Sequence, residues 1–174
     1  MKVLLVQTYL GRWEPPVFPL GISYLAAALK DHDVHVLDQN VEEDPWGSLP
    51  ERIAAVKPDV LGFSLRNIDT TQFRDPYLYF PALKRAVETA RAAAPDTPMM
   101  VGGPGFSMWP MQVLQRLPEV AYGVHLEGEE TLPRLLDNLS NPASVRGVYF
   151  RQDGIIQFTG AAPPPDFRPI LPRR

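Results

Sequence analysis

Side chains and glycines suited to binding a ligand occur in four segments of the sequence. Residues 9–19 combine aromatic side chains with prolines, and residues 64–71 are mostly polar. Residues 102–107 are rich in glycine, and residues 127–131 are rich in carboxylates. Together these residue types offer flat apolar surface, hydrogen bonds and room beside the backbone, which are the properties of a small-molecule site.

The first segment is overlong, because it has eleven residues where about two to six usually join a strand to a helix. Its prolines stiffen it, and Tyr9, Trp13 and Phe18 suit a large planar ligand better than a phosphate. A phosphate loop needs a cluster of serine, threonine and glycine, and only Thr8 and Gly11 qualify here. The alternative is a hydrophobic flap that packs on a neighbouring domain.

The ends of the predicted first and third strands argue against two common functions. Gly62, Phe63 and Ser64 lack the second glycine of a nucleophile elbow, which argues against a hydrolase. A phosphoacceptor receiver domain needs acidic residues at the ends of its first and third strands, where this sequence has Gln7 and Ser64. Arg66 is a candidate ligand contact, with a surface salt bridge as the alternative.

The third and fourth segments each have an ordinary structural explanation when taken alone. Glycines at 102, 103 and 105 let a ligand lie against the backbone, but they also suit a tight turn. They do not form a dinucleotide fingerprint, which belongs after the first strand. Glu127 and Glu129 open a predicted helix, where the helix dipole alone favours acidic residues.

Composition narrows the function classes further. The 174 residues carry 17 basic and 20 acidic side chains, a formal charge of −3, so no basic footprint for nucleic acid or an anionic membrane is present. Cysteine is absent, which excludes disulfides, thiolate nucleophiles and cysteine-bound iron–sulfur clusters. His32, His35 and His125 show no helical metal-ligand spacing, which argues against a zinc site.

Hydrophobic periodicity places these segments on an α/β fold. Apolar runs near residues 2–8, 33–38, 59–64, 99–102 and 120–126 alternate with helical patterns, which predicts a five-stranded parallel sheet between two helical layers. We expect the Rossmann-like or flavodoxin-like strand order 2-1-3-4-5, followed by a C-terminal β-hairpin that turns at Asp153 and Gly154. Ligands of such folds bind beyond the carboxyl ends of the strands, where the segments lie.

Proline marks the expected domain boundary. The sequence has 20 prolines, and five of them fall in its last fifteen residues. We therefore expect a compact domain at residues 1–159 and a proline-rich linker at residues 160–174, which suggests a fragment of a longer protein. No apolar run reaches the roughly 18 residues of a spanning helix, so a soluble cytoplasmic protein is expected.

The four segments together resemble the N-terminal cobalamin-binding domain of B12-dependent radical SAM enzymes. The resemblance covers nearly the whole chain and is most specific in a Gly-Gly-Pro followed about 25 residues later by Glu-Gly-Glu-Glu-Thr. Its motifs are Pro15–Pro16 with Pro19–Leu20–Gly21 and Tyr24–Leu25–Ala26, then Pro58 to Ser64, Leu65 to Asp69, Val101 to Pro104, and Glu127 to Leu132.

The resemblance implies a module that holds cobalamin at the strand ends, with the dimethylbenzimidazole tail inserted at the sheet. By that resemblance Ser64, Gly102 and Gly103 contact the nucleotide tail. The lower face of the corrin is approached by Leu65, Arg66 and Asn67. The ring and its amides are bordered by Phe106, Ser107, Glu127, Gly128 and Glu129. The implied cofactor site also includes Thr8, Tyr9, Pro104 and Gly105.

One departure concerns the lower cobalt ligand. Methionine-synthase-type B12 domains carry Asp-x-His-x-x-Gly before the first helix, and alignment on Gly21 puts Phe18 at the histidine position and Pro16 at the aspartate position. We therefore expect base-off cobalamin without a histidine ligand. Arg66 is the candidate to face the cobalt from below, where a cation supplies no lone pair.

A second departure is the missing Cys-x-x-x-Cys-x-x-Cys motif that holds the [4Fe–4S] cluster in radical SAM enzymes. We expect this chain to bind cobalamin without turnover, and a radical SAM domain in cis or trans to hold the cluster and S-adenosylmethionine. The implied parent activity is methyl transfer from methylcobalamin. Apolar residues on the binding edge are expected to pack against that domain, namely Trp13, Phe18, Phe106, Met108 and Trp109.

Two alternatives remain open at the level of sequence. One is a stand-alone cobalamin carrier or sensor that acts through a protein partner. The other is a degenerate domain that keeps the fold as an interaction platform without a cofactor.

Overall fold

A computed structural model describes residues 1–12, 15–70 and 74–163. Trp13 and Thr71 of the segments discussed above lie outside the described residues. So do residues 164–174, which make up most of the predicted linker.

The described residues form one sheet of seven strands in the order β2-β1-β3-β4-β5-β6-β7. The first five are parallel, which confirms the predicted order 2-1-3-4-5. The strands are β1 (Lys2–Gln7), β2 (Asp33–Asp38), β3 (Val60–Ser64), β4 (Met99–Gly102), β5 (Tyr122–Val124), β6 (Val148–Gln152) and β7 (Ile155–Phe158).

The predicted hairpin is confirmed, but the expectation of a five-stranded sheet is wrong in its count. Strand β6 pairs antiparallel with β5, with Tyr122 opposite Phe150 and Val124 opposite Val148, so the hairpin extends the same sheet. Val148 and Phe150 are buried. Pairing with the otherwise free edge of β5 satisfies backbone groups of both strands, which a separate hairpin would leave open.

Helices cover both faces of the sheet. Helices α1 and α6 pack on one face, and α2, α3, α4 and α5 pack on the other. Among the described residues, no helix is long and apolar enough to cross a bilayer. The helices are α1 (Leu20–Ala28), α2 (Ser48–Val56), α3 (Phe80–Ala93), α4 (Pro104–Met108), α5 (Pro110–Gln115) and α6 (Gly128–Asp137).

Helix α4 was not expected, since its glycines suggested a turn. Gly103 precedes the helix with φ of +97°, and Pro104 occupies the first turn, where its missing N–H costs no helical hydrogen bond. The chain thus turns sharply at Gly103 and enters a helix at once. Position 105 within that helix requires glycine, because the backbone of the β3–α3 loop passes directly beside it.

The loop after β1 is held by the loop after β2. The Leu10 N–H donates to Asn40 Oδ1 at 2.7 Å, and Asn40 Nδ2 donates to the Thr8 carbonyl at 3.2 Å. Thr8 Oγ1 in turn donates to the Ser64 carbonyl at 2.8 Å. These bonds join the carboxyl ends of β1, β2 and β3.

We predict opposite effects of alanine at two helical glycines. A Cβ at Gly105 would lie 2.7 Å from the carbonyl carbon and oxygen of Asn67, so Gly105→Ala must displace backbone and should lower the free energy of unfolding by about 1–3 kcal/mol. A Cβ at Gly21 meets nothing within 4 Å, so Gly21→Ala should raise it by about 0.5–1 kcal/mol. Urea denaturation followed by circular dichroism measures both, and equal effects would contradict the close approach at Gly105.

Candidate functional site

A cavity of about 370 Å³ lies between the sheet and helices α1 and α6. Its lining comes from β1, β3, β4 and β5 on the sheet side, from the first two turns of α1 and α6, and from the turn that joins β4 to α4. The exposed lining residues Gly21, Pro104, Leu126 and Glu127 all lie at or beyond the carboxyl edge of the sheet. The cavity therefore opens at that edge, where the sequence predicts ligand binding.

Two rows of residues form the sheet side of the cavity. The inner row is Leu5, Gly62 and Met100, which are neighbours in register across β1, β3 and β4. The outer row, two residues nearer the carboxyl edge, pairs Ser64 with Gly102. Side chains two apart on a strand share a face, and two residues span about 6.6 Å, so the rows mark two depths in one cavity.

Both rows contain a glycine, Gly62 in the inner row and Gly102 in the outer row, which leaves space beside the sheet. At Gly62 an added Cβ would lie 2.9 Å from Leu5 Cδ2, and at Gly102 it would lie 3.5 Å from the Val124 carbonyl oxygen. On the helix side, a Cβ at Gly128 would lie 2.8 Å from Leu25 Cδ2. Side chains at these glycines would fill space that the cavity now occupies.

The turn after β4 is fixed against the loop after β3. The Leu65 N–H donates to the Gly102 carbonyl and the Gly105 N–H donates to the Leu65 carbonyl, both at 2.9 Å. A Cβ at Gly103 would lie 2.7 Å from the Leu65 carbonyl oxygen, so the positive φ and the close approach both require glycine there. The cavity rim at Ser64 and Gly103 is thereby preorganised by backbone contacts.

A second rim contact shapes the loop after β5. Leu126 has φ of +61°, a conformation that costs a leucine about 1–2 kcal/mol. Its N–H donates to Ser107 Oγ at 2.8 Å, which holds the loop in that conformation. Glu127 and the first turn of α6 follow directly, so Ser107 positions the acidic side of the cavity mouth.

Eight of the fifteen predicted cofactor residues line the cavity. Ser64 is half-buried, and its hydroxyl forms no hydrogen bond with any described residue, which leaves it available to a ligand. The eight are Ser64, Gly102, Gly103, Pro104, Ser107, Glu127, Gly128 and Glu129.

The other predicted residues lie outside the lining. Thr8 and Leu65 are fully buried beside the rim, while Tyr9 packs edge-on against Trp46 with centroids 5.7 Å apart. Asn67 Oδ1 accepts a hydrogen bond from the Ile68 N–H at 2.8 Å, and Gly105 contacts Asn67 as described.

Arg66 is exposed at the same edge of the sheet. It forms no ion pair or hydrogen bond with the described residues, so the alternative of a surface salt bridge is not found among them.

Phe106 requires a correction. It is fully buried and packs edge-on against Tyr149 at 6.0 Å, on the sheet face opposite the cavity. The expectation that it is exposed on the binding edge is wrong, because the helical turn of α4 directs its ring to Gly123, which has no side chain to obstruct it. Phe18, Met108 and Trp109 are exposed at 58%, 51% and 53%, as expected.

The sequence analysis missed the apolar part of the lining and one polar neighbour. Gln7 is in register with Ser64 and shares a sheet face with Leu5, yet its side chain, 6% exposed, forms no hydrogen bond with any described residue. Strand alternation would have revealed Gly62 and Met100, which lie two residues before Ser64 and Gly102 on the same face of the sheet. The missed lining residues are Leu5, Gly21, Ile22, Leu25, Gly62, Phe63, Met100, Val101, Val124, Leu126 and Leu132.

His125 lies near the site but does not line the cavity. Its ring packs edge-on against Tyr149 at 5.8 Å and Phe158 at 5.5 Å. Burial lowers the pKa of His125, while the nearby Glu127 carboxylate acts in the opposite direction. The lining drawn from the described residues contains no histidine.

A parallel α/β sheet with a glycine-cleared cavity at its carboxyl edge defines a cofactor-binding domain of the Rossmann-like class. The model of the B12 binding domain family matches residues 6–136, three quarters of the sequence, so the chain belongs to that family. Cobalamin is the cofactor of this class of domain.

Relatives carry the same domain within longer chains. An uncharacterized methyltransferase of Pyrococcus horikoshii is 27% identical over 157 residues, which cover 85% of this chain and 31% of that protein. The hopanoid C-3 methylase of Methylococcus capsulatus is 28% identical over 155 residues, which cover 86% of this chain and 27% of that protein. The chain thus spans less than a third of the length of these relatives.

A solved structure agrees with the sequence matches. The radical S-adenosylmethionine methyltransferase TsrM of Kitasatospora setae, with cobalamin and a [4Fe–4S] cluster bound, superposes with a TM-score of 0.82 at 27% identity. The match covers 93% of this chain and 31% of that chain. The protein is accordingly a cobalamin-binding domain related to radical SAM methyltransferases.

The residues of the cavity fit the nucleotide tail of cobalamin. Gly62 and Gly102 leave a trough along the sheet that side chains would fill. The outer row offers the Ser64 hydroxyl, while the inner part is closed by aliphatic and thioether groups. The nucleotide tail has a polar sugar-phosphate linkage, which matches the outer row, and a flat base, which matches the apolar inner part.

We predict that Leu126→Gly stabilises the protein. Glycine adopts φ near +61° without the steric cost that leucine bears, so the free energy of unfolding should rise by about 1 kcal/mol. Leu20→Gly, at a similarly exposed leucine in α1, is the matched control and should lower it by about 0.5–1 kcal/mol. Chemical denaturation compares the two, and a loss of stability in both would contradict the strain at Leu126.

Proposed function

We propose that this chain is the cofactor module of a B12-dependent radical SAM enzyme of the methyltransferase type, and that it binds cobalamin base-off without a histidine ligand. The observation that carries the proposal is the cavity between the sheet and helices α1 and α6, with its glycine trough and open carboxyl edge. Membership of the B12 binding domain family and the similarity to TsrM support it.

The rim residues hold the cofactor in this proposal. The Ser64 hydroxyl donates or accepts a hydrogen bond at the nucleotide tail, and Gly102 and Gly103 give that tail clearance beside β4. Glu127 and Glu129 accept hydrogen bonds from side-chain amides of the corrin, because carboxylates only accept. Ser107 acts on the same loop through its bond with the Leu126 N–H.

The absence of a histidine ligand is supported by two features of the described residues. The cavity lining contains no histidine. Phe18, at the position aligned with the ligand histidine of methionine-synthase-type domains, is exposed and has no metal-binding atom.

Arg66 is proposed to lie below the corrin. It is exposed at the carboxyl edge, and no described residue neutralises its charge. A guanidinium cannot ligate cobalt, but its positive charge stabilises an electron-rich metal centre nearby. In this proposal Arg66 favours the reduced cofactor without coordinating it.

Bound cobalamin would supply the cobalt that accepts and donates a methyl group. The radical chemistry belongs to a partner domain, since this chain has no cysteine with which to hold a cluster. The relatives, of which this chain spans 31% and 27%, support such a domain in cis. We also propose residues 1–159 as the folded cofactor domain and residues 160–174 as the connection to its partner.

The proposal is tested by incubating purified chain with hydroxocobalamin, removing free corrinoid by desalting, and recording the visible spectrum before and after reduction. We expect near-stoichiometric retention with a base-off spectrum, because the cavity offers a site for the tail and no protein imidazole for the cobalt. Gly102→Phe should abolish retention by filling the trough. A colourless wild-type chain, or a spectrum with a nitrogen lower ligand, would contradict the proposal.

We further predict that Arg66 raises the reduction potential of bound cobalamin. Arg66→Ala should make reduction to cob(I)alamin more difficult, and Arg66→Lys should largely restore the wild-type value, because the charge and not the guanidinium shape is responsible. A spectroelectrochemical titration measures the midpoint. Arg116→Ala, which removes the same charge from an exposed position after α5, should leave it unchanged.

A shift of equal size in the Arg66→Ala and Arg116→Ala variants would show a general effect of net charge, and would exclude a specific role for Arg66.

A further inference from the structure

We propose that the cavity selects its corrinoid by the lower base, and that it prefers an apolar, benzimidazole-type base to a purine. The inference rests on the proposed function, because it concerns the part of cobalamin that the cavity would hold. It follows from the distribution of polar groups along the depth of the cavity.

Polar side chains line only the outer part. Ser64 ends β3, Ser107 lies on α4 beyond the end of β4, and Glu127 and Glu129 begin α6, so all four belong to the carboxyl edge. Gln7, in register with Ser64, adds a buried amide at the same level. This outer ring can hydrogen-bond the sugar and phosphate that join a lower base to the corrin.

The inner part is apolar on every described side. Leu5, Gly62 and Met100 form its floor, one row deeper than Ser64. Leu25 and Leu132 cover it from α1 and α6. Leu25 lies four residues after Gly21, and Leu132 lies four residues after Gly128, which is about 6 Å along each helix from the cavity mouth. The two leucines therefore lie at about the same depth as the inner row of the sheet.

The backbone offers no substitute for polar side chains there. Strand β3 pairs on both sides, with β1 and with β4, over the residues that flank Gly62. Its N–H and C=O groups therefore point along the sheet and are engaged in the ladder. A base that reaches the inner row meets only C–H and thioether groups.

This environment discriminates between lower bases. Dimethylbenzimidazole presents two methyl groups at its far edge, which gain from burial against leucine and methionine. Adenine presents an amino group and ring nitrogens, which lose their hydrogen bonds to water and find no partner. Leaving one buried polar group of a ligand unpaired typically weakens its binding by roughly five- to a hundredfold.

Three corrinoids test the inference on the intact chain: cobalamin, its adeninyl analogue pseudocobalamin, and cobinamide, which lacks the nucleotide. All are supplied in the dicyano form, so that the lower base of cobalamin and of pseudocobalamin is free of cobalt. Equilibrium dialysis with corrin absorbance gives the dissociation constants. We expect cobalamin to bind most tightly, with pseudocobalamin and cobinamide each at least about tenfold weaker.

The outcomes separate the two proposals. Equal affinity for cobalamin and pseudocobalamin, or for cobalamin and cobinamide, would overturn the selection of the base and leave cobalamin binding intact. Failure of all three to bind would overturn the proposed function and this inference with it.

Variants locate the selection in the inner row. Met100→Gln places an amide of similar length on the floor, which gives adenine a partner and should reduce the preference for cobalamin at least threefold. Leu132→Gln introduces the same group from the helix side and serves if the first variant does not fold. Met111→Gln, at an exposed methionine in α5, is the matched control and should retain the wild-type preference.

If Met100→Gln and Leu132→Gln both fold and both keep the wild-type preference, the base does not reach the inner row and the inference is overturned.

Discussion

The site depends on the backbone contact between the loop after β3 and the turn after β4. Leu65 exchanges hydrogen bonds with Gly102 and Gly105 at 2.9 Å, and neither Gly103 nor Gly105 has room for a Cβ. This contact sets the height at which β3 and β4 end relative to each other. The outer row of the cavity and the start of α4 both follow from that height, so a few glycines determine the shape of the rim.

The contact also links the two sides of the sheet. The turn at Gly102 and Gly103 lines the cavity on the side of α1 and α6, while α4 leads Phe106 into the core on the other side. Phe106 packs on Gly123, and the next residue, Val124, lines the cavity again. The cavity wall is therefore supported from behind by a fully packed aromatic residue.

The sequence was sufficient to predict the parallel strands, their order and the edge at which the site lies. Apolar strands at regular intervals are a local pattern, and the carboxyl edge follows from topology alone. Helix α4 was missed because glycine and proline normally interrupt helices, and here a tertiary contact requires the glycine. The attachment of the hairpin to β5 was missed because strand pairing is a non-local property.

For the site itself, sequence reasoning identified the rim better than the interior. The rim residues are unusual for their positions, such as Ser64 at a strand end and Gly103 before a proline. The inner residues, such as Leu5 and Met100, are ordinary core residues by type, and only the missing side chain at Gly62 makes room beside them. A cavity produced by an absence of atoms gives little signal in a single sequence.

The hairpin has a consequence for the direction of the chain. Strand β6 reverses the direction of β5 and β7 reverses it again, so β7 runs parallel to β5 and ends at the edge where the cavity opens. The Gly147 N–H donates to the Gly160 carbonyl at 2.8 Å, and Arg146 Nε donates to the Ala161 carbonyl at 3.3 Å, which anchors the exit there. A domain joined after this point would start from the edge of the sheet at which the cavity opens, and a short tether would give it a high effective concentration at that opening.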